Sequence, residues 1–128
     1  MYEINIVKKL IVFISIVFSV AYSEIVYRVP IEGVIDLGLP PYVKRVIKEA
    51  EDSNIDAIVF EINTFGGRVD AATQIKDAIL SSEVQTIAFI NRRAISAGAL
   101  ISLSFEKVFM NGGGLIGDAT AVDMSGKK

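Results

Sequence analysis

Hydrophobic residues recur along this chain at two spacings, and the two patterns alternate after residue 23. Apolar runs of strand length predict β-strands, whereas apolar residues at positions i, i+3, i+4 and i+7 predict amphipathic helices. The predicted helices begin at Pro40-Pro41, near Asp70 and at Ala97, and the last one extends to Phe105. The predicted strands are Glu24–Asp36, with a bend or break around Pro30 and Gly33, Ala57–Ile62, Thr86–Asn91 and Lys107–Met110.

This alternation predicts an α/β fold in which parallel strands are joined by right-handed helical crossovers. The run Ala57–Ile62 is mostly apolar, which is typical of a parallel strand covered on both faces. The last segment, Asn111–Lys128, contains five glycines and is predicted to be a loop. A compact domain rarely stops on such a stretch, so we expect residues 24–128 to be part of a larger domain.

The first 23 residues have the layout of a secretory signal peptide. Lys8-Lys9 precedes an apolar run, Leu10–Val20, and Ala21-Tyr22-Ser23 supplies a small-residue end. This order predicts cleavage before Glu24 and export to the periplasmic or extracytoplasmic side of the cell membrane. The run of 11 residues is short of the roughly 20 that a spanning helix needs, and an uncleaved anchor starting at Ile6 is the alternative.

The composition excludes several kinds of chemistry. The 128 residues contain no histidine and no cysteine, which rules out disulfides and thiolate ligands and disfavours a transition-metal site. We therefore predict neither a metal nor a cofactor. The formal net charge is −2, and no basic patch is evident that could bind a phosphate backbone, which argues against nucleic acid as a partner.

Two turns that follow predicted strands carry the candidate chemistry. The first is Asn63-Thr64-Phe65-Gly66-Gly67, and the second is Ala94-Ile95-Ser96-Ala97-Gly98-Ala99. Parallel sheets place their sites where strand ends face helix starts, so we expect the two turns to lie together. Ser96 is then a candidate nucleophile, and the backbone N–H groups of Gly66 or Gly67 and of Ala97 are candidate oxyanion donors. Without histidine, the base cannot be the imidazole of a Ser-His-Asp triad.

Each of these segments also has a simpler interpretation. A Gly-Gly pair after a strand is more often only a tight turn, and a serine that opens a helix is more often an N-cap. Arg92-Arg93 lies either on the surface or along a substrate groove. The glycines at 112–114 are predicted to be a flexible loop, because the lysine and hydroxyl residue of a phosphate-binding loop are missing. The functional hypothesis depends on the two turns occurring together.

Five segments of the chain resemble the NfeD-type membrane-bound serine proteases of the larger ClpP/crotonase group. They are Ile31–Asp36, Tyr42–Arg45, Asn63–Asp70, Ser96–Ala99 and Ile116–Thr120, and they span nearly all of residues 24–128. The resemblance implies the repeated β-β-α spiral of that group, incomplete here at the C-terminus. It also implies that Ser96 is the nucleophile, that Gly66 and Gly67 contribute to the oxyanion hole, and that the general base is a lysine.

The chain departs from the family pattern at two places. Phe65 stands where many relatives have proline, which should change the stiffness of the turn but not its N–H donors. The family's catalytic lysine lies on a helix that would follow Lys128, so the two terminal lysines, Lys127 and Lys128, should not be equated with it. We therefore expect this chain to lack the base, together with the membrane segments of full-length members.

Three functional hypotheses remain open. The first is a Ser-Lys endopeptidase domain of the cell envelope that cleaves apolar segments of membrane proteins, with a stomatin-like protein as the implied substrate and a homo-oligomer as the expected assembly. The second is a crotonase-like acyl-thioester enzyme, which the export signal disfavours because acyl-CoA is cytosolic. The third is a catalytically inactive fragment or an oligomerisation module.

Overall fold

The computed structural model describes residues 2–17 and 23–120 of the chain. Within these two ranges an N-terminal helix, α1, is followed by alternating strands and helices, and two consecutive strands come last. Their bounds are α1 Tyr2–Val17, β1 Val26–Ile35, α2 Leu39–Asp52, β2 Ala57–Gly67, α3 Val69–Leu80, β3 Gln85–Ile95, α4 Ala97–Ser102, β4 Lys107–Met110 and β5 Leu115–Gly117. None of the helices in these ranges has both the length and the apolar character needed to cross a membrane.

The strands form one parallel sheet in the order β1-β2-β3-β4, and β5 also pairs with β3. Strand β3 is long enough to pair with both β4 and β5, because Ile87–Ile90 pairs with β4 and Arg93–Ile95 pairs with β5. The prediction of an α/β fold with a parallel sheet is confirmed.

One face of the sheet and three helices enclose the hydrophobic core. Alternate residues of β1, β2 and β3 point into it, and they meet the apolar faces of α2, α3 and α4. The largest fully buried side chains include Phe60, Ile31, Ile35, Ile58, Ile62, Ile75, Ile90, Ile101 and Val43. The apolar residues that recur at strand spacing and those that recur at helix spacing therefore pack together in one core.

The opposite face of β2 differs from the expectation of a strand covered by apolar packing on both sides. Val59 is half-buried there, and Glu61 is 7% exposed. Glu61 accepts a hydrogen bond from Arg28 Nε at 2.7 Å and another from Asn91 Nδ2 at 2.6 Å. A carboxylate held by side chains of both neighbouring strands covers this face where hydrophobic residues were expected.

Helix α4 is shorter than predicted, because it ends at Ser102 and not at Phe105. The Ser104 N–H donates to the Ile101 carbonyl at 3.0 Å, which turns the chain out of the helix. Phe105 then packs against Phe60, with ring centroids 5.2 Å apart. Burial of this ring on the core takes precedence over continuing the helix.

The glycine-rich segment after β4 is not entirely a loop. Leu115–Gly117 forms β5 beside the end of β3, although residues 121–128, including Lys127 and Lys128, lie outside the described part. At the other end, Ala21 and Tyr22 of the expected cleavage site are also outside it. The signal peptide and its boundary with the domain at residues 24–128 stay predictions.

Candidate active site

The two turns singled out in the sequence lie side by side at the carboxyl edge of the sheet. Both strands run further than predicted, β2 to Gly67 and β3 to Ile95, and Thr64 pairs with Ala94 at their ends. Gly66 faces the second turn directly. A Cβ atom added to Gly66 would lie 2.9 Å from Ser96 Cβ and 3.1 Å from Ala97 N. Only glycine permits this approach.

The second glycine of the first turn is enclosed from the other side. A Cβ atom at Gly67 would lie 2.2 Å from the carbonyl oxygen and 2.7 Å from the nitrogen of Ile35, at the end of β1. The Arg68 N–H donates to that same carbonyl at 2.8 Å. The turn is thus wedged between the end of β1 and the Ser96 turn.

Ser96 has an unusual backbone conformation, with φ 53° and ψ −117°. Positive φ is uncommon for a residue with a Cβ atom and often marks a functional site. Its N–H donates to the Gly117 carbonyl of β5 at 2.9 Å, and its carbonyl accepts from the Ala99 and Leu100 amides. Ser96 holds the N-cap position of α4 but its hydroxyl makes no capping bond, and the residue is exposed. The simpler N-cap interpretation therefore does not account for the hydroxyl.

The predicted oxyanion donors differ in what their amides contact. The Gly66 N–H donates to Thr64 Oγ1 at 2.9 Å. The Gly67 N–H points away from β1, because successive N–H groups along a strand alternate in direction and the next one, of Arg68, binds Ile35. Ala97 is the first residue of α4, so its N–H has no partner within the helix. The N–H groups of Gly67 and Ala97 are best placed to donate hydrogen bonds to a ligand oxygen.

Charged side chains flank the first turn on both sides. The Arg93 guanidinium carbon lies 4.2 Å from the centroid of the exposed Phe65 ring, a cation–π contact, whereas Arg92 is exposed. Arg68 forms a bidentate ion pair with Asp70, with 3.0 Å from Nε to Oδ1 and 2.8 Å from Nη2 to Oδ2. The hydrogen bond from Arg68 lowers the pKa of Asp70, and the carboxylate raises the pKa of Arg68.

Thr64 is a feature of the site that sequence reasoning missed. It is 1% exposed, and its hydroxyl accepts a hydrogen bond from the Gly66 N–H within the same turn. A threonine at the end of a buried strand, two residues before Gly66, is the only signal the sequence offers.

A separate groove of about 400 Å³ between α2 and α3 is lined by Lys44, Lys48, Glu51 and Asp77 among others and contains none of the predicted site residues.

Comparison with known proteins identifies the family. The model of the NfeD1b N-terminal domain matches residues 25–128. The chain belongs to this family. Membrane protein NfeD1b of Bacillus subtilis is 39% identical over 106 residues, which are 83% of this chain and 24% of that protein. The membrane-bound protease PH1510 of Pyrococcus horikoshii is 33% identical over 116 residues, 88% of this chain and 26% of that protein. The chain thus spans about a quarter of these curated relatives.

Solved structures of proteases have the same fold. The 1510-N membrane-bound stomatin-specific protease, as a lysine-to-alanine mutant in complex with a substrate peptide, superposes with a TM-score of 0.74 at 32% identity, covering 82% of this chain and 51% of that one. ClpP1 from Listeria monocytogenes gives a TM-score of 0.59 at 30% identity, covering 62% and 46%. The ClpP-like fold is confirmed, and the homologues include membrane-bound proteases.

Proposed function

We propose that residues 24–128 form part of a serine endopeptidase domain in which Ser96 is the nucleophile. The observation that carries this proposal is the conformation of Ser96, which has positive φ, an exposed position and no capping hydrogen bond, and which packs against Gly66. Its hydroxyl attacks the scissile carbonyl, and the N–H groups of Gly67 and Ala97 bind the resulting oxyanion. Gly66 contributes by allowing the close approach.

The general base in this proposal is a lysine outside the 128 residues. A lysine accepts a proton only when it is neutral, so its ordinary pKa of about 10.4 has to fall by burial. Lys127 and Lys128 are adjacent like charges directly after Gly126, where such burial is not expected. Relatives that include a stomatin-specific protease support a peptide substrate, and we propose apolar segments of membrane proteins, with a stomatin-like protein as one of them.

The site is proposed to act on the extracytoplasmic side of the membrane, after cleavage before Glu24. N-terminal sequencing of the exported product should then begin at Glu24, and intact Met1 on cytosolic material would contradict it. We also propose a homo-oligomer, as the family resemblance implies. The 24–128 piece should in addition self-associate or aggregate, since β4 and β5 expose Val108, Phe109, Met110 and Leu115 along the sheet edge. Light scattering of the 24–128 piece should detect self-association, and a clean monomer would contradict it.

The proposed activity is tested with the full-length protein on apolar peptides. Ser96→Ala should abolish turnover and covalent labelling by a fluorophosphonate. Ser53→Ala, at an exposed serine that ends α2, is the matched control and should leave both unchanged. Residues 24–128 alone should cleave very poorly. Turnover by this short piece that depends on Ser96 would place the base within it, and turnover unaffected by Ser96→Ala would overturn the proposal.

A further inference from the structure

Thr64 is a buried polar residue whose two branches contact different parts of the site. It lies near the end of β2, between half-buried Asn63 and exposed Phe65, and is itself 1% exposed. Its hydroxyl contacts Gly66 of the same turn and Gly33 of β1, and its methyl group faces α4. A buried hydroxyl needs hydrogen-bond partners, so its contacts constrain the backbone that supplies them.

The hydroxyl replaces backbone hydrogen bonds at a point where the sheet is irregular. The pairing of β1 with β2 shifts register between Glu32 and Val34, and the pairing of β2 with β3 shifts between Ile62 and Thr64. Thr64 Oγ1 donates to the carbonyl of Gly33, inside the first shift, at 2.5 Å and accepts from the Gly66 N–H at 2.9 Å. One side chain thus satisfies groups that the shifted ladder leaves unpaired.

The methyl group sets how closely α4 approaches β2. A Cβ atom at Gly98 would lie 2.4 Å from Thr64 Cγ2, so the helix backbone packs directly on this methyl group. Gly98 is buried in the first turn of α4, two residues after Ser96. Any change in the position of α4 relative to β2 therefore changes the position of Ser96 relative to Gly66.

We propose that Thr64 is a positioning residue for the Ser96 site, an inference that rests on the function proposed above. Its hydroxyl fixes the Gly66 amide and thereby the direction of the next amide, that of Gly67, toward the Ser96 side. Its methyl group fixes the distance between α4 and β2. Thr64 acts through its neighbours, because its own hydroxyl is committed to Gly33 and Gly66.

Two substitutions separate the branches in the full-length protein. Thr64→Val keeps the shape but removes the hydroxyl, which leaves the Gly33 carbonyl and the Gly66 N–H unpaired. We expect kcat on an apolar peptide to fall roughly 10- to 100-fold with little change in KM, because a displaced oxyanion donor costs transition-state binding. Thr64→Ser keeps the hydroxyl but loses the methyl group. It should hold kcat within about threefold of the unmodified protein, and this smaller loss is the part that we assign to the spacing of α4.

Rates are expressed per site labelled by the fluorophosphonate, so that loss of folded protein does not count as loss of catalysis. If Thr64 only stabilises the fold, Thr64→Val will lower the melting temperature and the number of labelled sites, but kcat per site will stay within twofold. That result overturns the positioning role and leaves the proposed function intact. Absence of any Ser96-dependent turnover in the unmodified protein overturns both.

The packing branch is tested by a double-mutant cycle. Gly98→Ala should lower kcat per site and the melting temperature, because its Cβ meets Thr64 Cγ2. Combined with Thr64→Ser, which removes that methyl group, the same substitution should cost clearly less. Equal costs of Gly98→Ala in the two backgrounds would overturn the claim that Thr64 sets the spacing of α4.

Discussion

The glycine turn after β2 and the glycine turn after β4 differ in what surrounds them. After β2, a Cβ atom at Gly66 or Gly67 would meet backbone atoms at 2.9 and 2.2 Å. After β4, Cβ atoms at Gly112 and Gly113 would have nothing within 4 Å. The first turn needs glycine because other backbone segments occupy the space. Gly112 and Gly113 of the turn after β4 have open surroundings, and only Gly114 there lies close to other atoms, those of Met110 and the Asn111 carbonyl.

The space around a glycine, and not its backbone conformation, separates the glycine turn at the candidate site from the one after β4. Both turns have glycines with positive φ, 103° at Gly66 and 88° at Gly113, so conformation does not distinguish them. The distinguishing property is the neighbour that comes close, since Gly66 lies against Ser96 while Gly113 faces open space. Close approach of two turns from different strands is what concentrates functional groups at one sheet edge.

The largest expected effect is that of Gly67→Ala. The new methyl group would clash with the Ile35 backbone, which cannot move without disturbing β1, so we expect a loss near the upper end of about 1–3 kcal/mol in unfolding free energy. Urea unfolding of the full-length protein measures it. Gly112→Ala is the matched control and should change stability by less than about 0.5 kcal/mol. Equal effects of the two substitutions would remove the difference between the turns.

Gly66→Ala should have the next largest effect on stability and a strong effect on activity. Alanine at positive φ costs about 1–2 kcal/mol, and the Cβ atom would also press on Ser96. Gly113→Ala carries the conformational cost alone, because its surroundings are open. Comparing the two in unfolding and peptide-cleavage assays isolates the effect of the contact. Activity that survives Gly66→Ala within twofold would show that the close approach is not needed for catalysis.

The sequence predicts the elements well where the pattern is local. Strand β4 was predicted with its observed bounds, and α2 begins within one residue of Pro40. Strands β2 and β3 were predicted too short, because Asn63 and Arg92 interrupt their apolar runs. Their ends are extended by pairing with distant segments, such as Thr64 with Ala94. Local pattern cannot report hydrogen bonds made to another strand.

The same reason explains which parts of the site could be predicted. The approach of Gly66 to Ser96 follows from the edge rule for parallel sheets, so the two motifs could be placed together. The role of Thr64 could not, because its partner Gly33 is 31 residues away. The three-residue strand β5 also escaped prediction, since its glycine-rich surroundings resemble a loop and only its pairing with β3 defines it.

A smaller effect is expected for the exposed contact beside the first turn. Phe65→Leu removes the ring that Arg93 covers at 4.2 Å and should cost about 0.5–1 kcal/mol in unfolding free energy. Arg45→Gln is the control, because Arg45 lies 5.8 Å from the Tyr42 ring centroid, away from both turns, and its removal leaves the packing of Tyr42 on the core in place. We expect the smaller loss there. If both substitutions cost the same, the Phe65–Arg93 contact contributes nothing specific to the turn.

The smallest expected effect concerns Arg68 and Asp70, which follow the first turn. The pKa of Asp70 is lowered from its ordinary 3.8, chiefly by the hydrogen bond from Arg68. A lowered folded-state pKa means that the pair stabilises the fold above the unfolded-state pKa, and that this contribution is lost as the pH falls through the folded-state value. The contribution is small, because both side chains are more than half exposed.

Arg68→Gln should therefore raise the pKa of Asp70 toward 3.8 in an NMR titration of its carboxyl carbon, and it should flatten the acid limb of the stability profile slightly. Lys48→Gln, which removes the exposed partner of Asp52 at the end of α2, is the control and should leave the Asp70 titration unchanged. If Asp70 already titrates at its ordinary pKa in the unmodified protein, the ion pair does not hold the flank of the turn. The turn would then be held by its buried backbone contacts with Ile35 and Ser96, which is the property that separates it from the open glycine turn after β4.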